Sequence, residues 1–250
     1  GAGAMLDIMT GKENPSGRLS ETYPMRYEDT PAFKYFPSEQ RNSEYREALY
    51  VGYRYYDTAK IKVLYPFGFG LSYTTFEYSD LKAGKDGVEF TLTNTGKRDG
   101  AEVAQLYVGM KNGKIFRPEK ELKGFKKVSL KAGESEKVRI PFDDKTFRYW
   151  NVRTNQWETE GGAYIIMVGA SCQDIRLTAE VDVPGTTETY PYYTNRMPSY
   201  YSGQIRQVSD SEFLELLKMP IPSGTWGGEL TANDAICQMY YAKSPIARFV

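Results

Sequence analysis

Between Tyr73 and Val183 apolar residues recur at every second position. Val88, Phe90 and Leu92 alternate with polar neighbours, as do Ala104, Leu106 and Val108, then Val138, Ile140 and Phe142, then Ile175, Leu177, Ala179, Val181 and Val183. A period of two puts one set on one face of an extended chain, so these runs predict half-buried antiparallel strands. Turn chemistry separates them at Asn94-Thr95-Gly96, Lys111-Asn112-Gly113, Lys131-Ala132-Gly133 and Gly161-Gly162. About seven strands over about 110 residues is the scale of an immunoglobulin-like sandwich.

The flanks follow other patterns. Residues 1–10 are small and apolar with a short helical period that stops at Gly11, and a loop follows through Asn14, Pro15 and Gly17. Glu21 to Gln40 is broken by Pro24, Pro31 and Pro37, which predicts an irregular segment in need of a neighbour to pack on. Leu64 to Leu71 packs rings between Pro66, Gly68 and Gly70, a tight hinge turn, and the aromatic and β-branched run Tyr73 to Tyr78 then opens the strands. Pro184 to Pro198 reads as a linker or a strap. Ser209-Asp210-Ser211-Glu212 before Phe213, Leu214, Leu216 and Leu217 predicts a capped amphipathic helix. A second helix is expected from Thr231–Asp234 through Ile236, Met239 and Tyr240, with Pro245 kinking it or lying in its last turn.

Composition narrows the chemistry. Thirty-two basic and 32 acidic side chains cancel among 250 residues, so no global field favours nucleic acid or an anionic membrane. No apolar run reaches the length of a bilayer span. Gly1-Ala2-Gly3-Ala4-Met5 lacks the basic start of a signal peptide, and Ile246 to Val250 stop inside an uncapped apolar pattern, so a chain continuing at both ends is expected. Bacterial cytoplasm and secretion are equally compatible with this. Cys172 and Cys237 lie in different segments and predict two reduced thiols with no metal pattern. There is no histidine, which removes Ser-His-Asp and Cys-His mechanisms and imidazole metal ligation from this chain.

Tyr65 to Tyr78 resembles the junction in family 3 glycoside hydrolases between the α/β-sandwich domain and the fibronectin type III-like domain. Asn14-Pro15-Ser16-Gly17-Arg18-Leu19, Thr22-Tyr23-Pro24 and Tyr53-Arg54-Tyr55-Tyr56 resemble the end of the former. Thr93-Asn94-Thr95-Gly96, Glu102 to Val108, Arg117 to Phe125 and Asp174-Ile175-Arg176-Leu177 resemble the latter, in order. The implied fold is mainly β: a fibronectin type III-like antiparallel β-sandwich over 71–183, an irregular remnant of an α/β-sandwich domain over 1–70, and a linker with a small helical tail over 184–250. The implied parent activity is retaining hydrolysis of glycosides of the β-glucosidase or β-xylosidase type, without cofactor, by two carboxyl groups. In the family the nucleophilic Asp belongs to a (β/α)8 domain and the acid/base Glu to an upstream sandwich-domain loop. Neither position matches a residue here, so no catalytic residue is assigned and the chain alone is expected to be inactive. Its expected partners are those two domains and, through the complete enzyme, β-linked glycosides.

Candidate binding residues remain. Tyr45, Arg46, Glu47, Tyr53 and Arg54 lie in the segment Glu44–Asp57, where Ala48 replaces a glycine of the family pattern. They predict either a wall beside a substrate or a domain-docking ladder of arginine and carboxylate pairs. Trp150 and Trp157 flank a short hairpin and could stack on sugars, or fill a core. Asp143-Asp144 predicts a solvated turn rather than a metal site. Lys120, Lys123, Lys126 and Lys127 predict a solvated strand edge guarded by charge. Gly68 and Gly70 precede no helix pattern and make no phosphate loop. A second class of function, a free-standing carbohydrate-binding or adhesion module, requires exposed, coplanar rings; a third makes the β-domain a spacer.

Overall fold

In the computed structural model, the described residues are 1–36, 43–222, 227–230, 232 and 234–249; Pro37, Gln40, Thr231 and Val250 lie outside them. The alternating stretch forms two antiparallel sheets. Strands β3 (Phe76–Ala83), β4 (Gly87–Asn94) and β7 (Ser135–Pro141) make one, in the order β3-β4-β7. Strands β5 (Gly100–Met110), β6 (Glu121–Leu130), β10 (Gly162–Ser171) and β11 (Asp174–Val183) make the other, in the order β11-β10-β5-β6. Between β7 and β10 the strands β8 (Arg148–Asn151) and β9 (Gln156–Thr159) form a separate hairpin.

The alternation dictates the core. Val88, Phe90 and Leu92 of β4, Ala104 and Leu106 of β5, Val138 and Ile140 of β7 and Ile166 and Val168 of β10 meet between the sheets. Each is nearly or fully out of water, and burying a side chain of this size contributes roughly 1.5–3 kcal/mol. Asn94 closes the same end of the sandwich: its side chain donates to Arg98 O at 2.7 Å and Leu130 O at 3.2 Å, and accepts from Thr74 Oγ1 at 2.6 Å.

Strand β5 departs from the half-buried expectation. Every residue from Ala104 to Gly109 is buried, because the segment before the sandwich covers its outer face. Tyr53 stacks on Phe67 at 4.8 Å and meets Tyr107 of β5 edge-on at 5.8 Å. Gln105 reaches across to Gly68 O at 3.2 Å and Ala170 O at 2.7 Å. The expected hinge turn is therefore pinned: Gly68 N and Phe69 O bond to Leu19 at 2.8 Å each, and Phe67 O accepts from Cys172 N at 3.0 Å. Gly68 has φ +82°, and a Cβ there would overlap the Gln105 amide, so side-chain space and backbone geometry both demand glycine.

The N-terminal segment holds helix α1 (Ala2–Met9) and then runs irregularly, with one short pair, β1 (Tyr23–Pro24) with β2 (Val63–Tyr65), that the alternation did not reveal. It is tied down by polar bonds. Asn14 accepts from Tyr73 N at 2.9 Å and donates to Asp99 O at 3.0 Å, and the buried Arg18 pairs with the buried Glu102 of β5 at 2.6 Å. Downstream lie helices α3 (Pro198–Ser202) and α4 (Asp210–Leu217), the latter capped by Ser209, whose side chain accepts from Glu212 N. The second tail helix is not α-helical: Ile236–Tyr241 and Ile246–Phe249 are two short 3₁₀ turns separated at the Lys243–Pro245 break. Pro245 cannot donate to a continuing helix, and at 6 and 4 residues neither turn nucleates one. Among the described residues no helix is long and apolar enough to cross a membrane.

Candidate domain-docking site

Residues 44–61 are where three parts of the chain converge. A tight turn at Tyr45–Ala48 leads through Gly52 into helix α2 (Tyr53–Thr58). Ala48 has φ +49°, the left-handed region that favours glycine, which accounts physically for the glycine in the pattern this segment resembles. Tyr50 before α2 and Tyr55 and Tyr56 within it, all buried, join a core closed by Phe116, Met197, Tyr200, Ile205, Val208 and Phe213. The tail thus docks on the segment before the sandwich, and the β5–β6 loop supplies Phe116 as its hub. Phe116 stacks on Tyr50 at 6.4 Å and tilts against Tyr192 at 4.9 Å and Tyr200 at 5.4 Å.

The predicted residues divide by what they touch. Arg46 is buried, bonds Glu44 at 2.6 Å, Val208 O at 3.0 Å and Asp210 at 2.7 Å, and lies over the rings of Tyr35 and Phe213 at 5.1 and 4.9 Å. Its charge and its ring contacts are used within the chain, and the contacts to Val208, Asp210 and Phe213 fasten the tail. Glu47 is buried beside it, and burial foremost, with the charges of Glu212 and Glu47 adding, raises the Tyr200 phenol. Tyr53 OH accepts from Leu122 N at 2.7 Å, and Arg54 pairs with Glu121 at 3.2 Å, so both fasten α2 to strand β6. Tyr45 stands apart at 73% exposed, and Leu49 and Val51 are exposed as well.

One expectation for the lysine cluster is corrected. Strand β6 is indeed a sheet edge, with Lys123 and Lys126 paired to Glu121 and Glu136, but Lys120 is buried. Its Nζ lies 3.0 Å from Asp57 Oδ2 of α2 as an ion pair without hydrogen-bond alignment, and Asp57 Oδ1 accepts from Gln173 Nε2 at 2.9 Å. Its sequence neighbours suggested solvent; the docked helix removes it. Phe116, Tyr200 and the Asp57–Lys120 pair are the docking residues that sequence reasoning missed. The only signal for them was the density of rings at Tyr190–Tyr193 and Tyr200–Tyr201.

The remaining titratable groups favour structure over chemistry. Burial pushes the phenols of Tyr50, Tyr107 and Tyr200 well up, and that of Tyr55 to about 12, so all four stay neutral at ordinary pH. The thiol of the buried Cys172 is likewise pushed up by burial, which makes it inert; Cys237 is exposed and both are free. Asp143 accepts from Thr146 Oγ1 and Lys145 N, and Asp144 pairs with Arg148, which is a solvated turn. Among the described residues no group of three His, Cys, Asp or Glu is placed to hold a metal.

The second candidate pair lies on the β8–β9 hairpin. Trp150 and Trp157 face each other across the two strands with centroids 5.4 Å apart and planes at 75°. They are 45% and 55% exposed, and they edge a half-open groove of about 580 Å³. Below them, hydrogen bonds from Thr154 and Asn151 hold the Glu158 carboxyl below its ordinary range, while burial pushes the Tyr149 phenol up to about 12.

Comparison with known proteins agrees with this architecture. The fibronectin type III-like domain family matches residues 102–172. Thermostable beta-glucosidase B of Acetivibrio thermocellus is 43% identical over 200 residues, covering 77% of this chain and 26% of the relative. An exo-alpha-(1->6)-L-arabinopyranosidase of Bifidobacterium breve is 42% identical over 196 residues, covering 76% and 26%. The crystal structure of the Bifidobacterium adolescentis GH3 beta-glucosidase superposes with a TM-score of 0.72 at 42% identity, covering 77% of this chain and 29% of that one. The chain therefore spans about a quarter of the length of the curated relatives it matches. On the sandwich, its pinned junction and these likenesses together, the chain belongs to the family 3 glycoside hydrolases, as the part that carries their fibronectin type III-like domain.

Proposed function

We propose that this chain is the scaffold and docking portion of a retaining, β-glucosidase-type glycoside hydrolase, and that it contributes no catalytic carboxylate. The observation that carries this is the surface of its N-terminal segment. No residue of α1 is buried, and Met5, Leu6, Met9, Tyr27, Leu64 and Leu71 all present apolar side chains to solvent. So many large apolar side chains left in water on one segment mark a surface made to be covered. The covering partners in this reading are the upstream α/β-sandwich and (β/α)8 domains, and the substrates of the complete enzyme are β-linked glycosides. Arg46, Tyr53 and Arg54 act in the docking role, since their polar groups are already engaged within the chain. The free-standing binding module is the weaker reading, because the two indoles are nearly perpendicular and form no flat platform.

Amide hydrogen exchange tests the covered surface. In the complete enzyme, residues 2–9 and 23–29 are expected to exchange more slowly than in the isolated chain, while β4 and β10 exchange alike in both. Equal exchange at 2–9 and 23–29 in the two proteins would refute the docking role.

A further inference from the structure

The groove beside the β8–β9 hairpin has features that the docking role does not use. We infer that it binds neutral pyranosides, with Trp150 and Trp157 as the corner into which one sugar ring fits. The hairpin does not need these indoles to stay in place. Its inward side is held by Asn151, which is fully buried and bonds Glu158 Oε2 at 2.9 Å and Thr189 O at 2.8 Å. Two half-exposed tryptophans at directly opposed positions therefore lack a packing reason, and exposed rings at a groove mouth are the informative exception on a soluble surface.

The geometry selects the class of ligand. Two rings at 75° offer a floor and a wall, which suit the apolar face and the edge of a single pyranose and do not suit a flat polymer surface. The Arg148 guanidinium lies 4.4 Å from the Trp157 ring centroid and pairs with Asp144, so one indole face is already occupied and the ring is held in position. Ala48, Leu49 and Leu216 add apolar lining, and the volume falls in the range of small-molecule sites.

Charge argues for a neutral ligand. The cations lining the groove are compensated: Arg117 pairs with Glu160, Lys123 with Glu121 at 3.2 Å and Arg148 with Asp144, while Lys145 sits beside Asp143. Each lining cation thus has a carboxylate beside it, although Glu121 is shared with Arg54, and no cluster of unpaired cations is left to select a phosphate or a uronate. Such pairs instead present fixed donors and acceptors together, which matches hydroxyl groups that both donate and accept.

The test uses the 250-residue chain and its three indole N–H resonances, from Trp150, Trp157 and Trp226. Methyl β-glucoside, methyl β-xyloside and cellobiose are titrated, with glucuronate and inorganic phosphate as anionic controls. Saturable shifts of the Trp150 and Trp157 resonances with a neutral glycoside, and a weaker response to the anions, are expected. Trp157→Ala and Trp150→Ala are expected to weaken binding at least about tenfold, as for truncation of a ring that supplies most of a contact surface. Because the two indoles are half exposed, circular dichroism of each variant should match the parent chain; the resonance shifts of the parent chain stand as a readout that requires no variant. No shift with any neutral glycoside, stronger response to glucuronate or phosphate, or binding untouched by both alanine variants would each overturn the proposal.

Discussion

Tyr200→Ala is expected to lower the unfolding free energy of the chain by about 3–5 kcal/mol, the cost of deleting a large buried ring. Its side chain is fully buried, and its ring meets Phe116 at 5.4 Å where α3, the β5–β6 loop and the segment before α2 converge. Its hydroxyl donates to Arg46 O at 2.9 Å, and its own carbonyl accepts from Tyr50 OH. Tyr200→Phe separates the two contributions. It keeps the ring and leaves the Arg46 carbonyl unpaired, which costs about 1–3 kcal/mol. Urea unfolding followed by tyrosine fluorescence measures both variants. A Phe variant as damaged as the Ala variant would mean that the hydrogen bond, and not the packing, fastens the tail.

Asp57→Ala should cost about 3 kcal/mol, the low end for removing one partner of a buried ion pair. The Lys120 ammonium would be left in a site that is 7% exposed, and Gln173 would lose its acceptor. The low end applies because Glu119 remains 3.7 Å from Lys120 as a partial partner. The double change Asp57→Leu with Lys120→Met removes both charges and the cost of desolvating them, so it should recover most of the loss. Thermal unfolding of the two variants checks this. A double variant no better than Asp57→Ala would show that the pair holds α2 against the sandwich by its geometry and not merely by its neutrality.

These two sites also mark where the sequence stops being informative. The strands of the sandwich could be read because each side chain that faces the core sits two residues from the next, and local spacing alone decides the face. The turn at Gly68 could be read because only glycine suits φ +82° beside Gln105, and the helix at Ser209 because its cap is local chemistry. Docking was not readable in that way. Tyr50 and Tyr200 are 150 residues apart, Asp57 and Lys120 are 63 apart, and nothing in either neighbourhood encodes the other. Lys120 is the clearest case, since it shares a charged run with Lys123 and Lys126 and only the helix laid over it takes it out of water.

For the candidate residues the same reasoning holds. The choice between substrate wall and docking ladder at Arg46, Tyr53 and Arg54 turns on partners from distant segments, Asp210, Leu122 and Glu121, that sequence spacing could not supply. The exposure of Trp150 and Trp157 follows from Asn151 and Glu158 having taken the inward positions of the hairpin. An alternating pattern of four residues per strand is too short to fix that choice.

The measurement that bears most directly on the account is hydrolysis of chromogenic β-glucoside and β-xyloside by the purified 250-residue chain, beside the complete enzyme. The account predicts turnover by the complete enzyme and none above the buffer rate by the chain, because its buried phenols are neutral and the buried carboxylates of Glu102 and Asp57 are engaged in structural ion pairs. Turnover by the chain itself, abolished by changing Glu44 or Glu47 to Gln, would contradict it and would place catalysis where the account places docking.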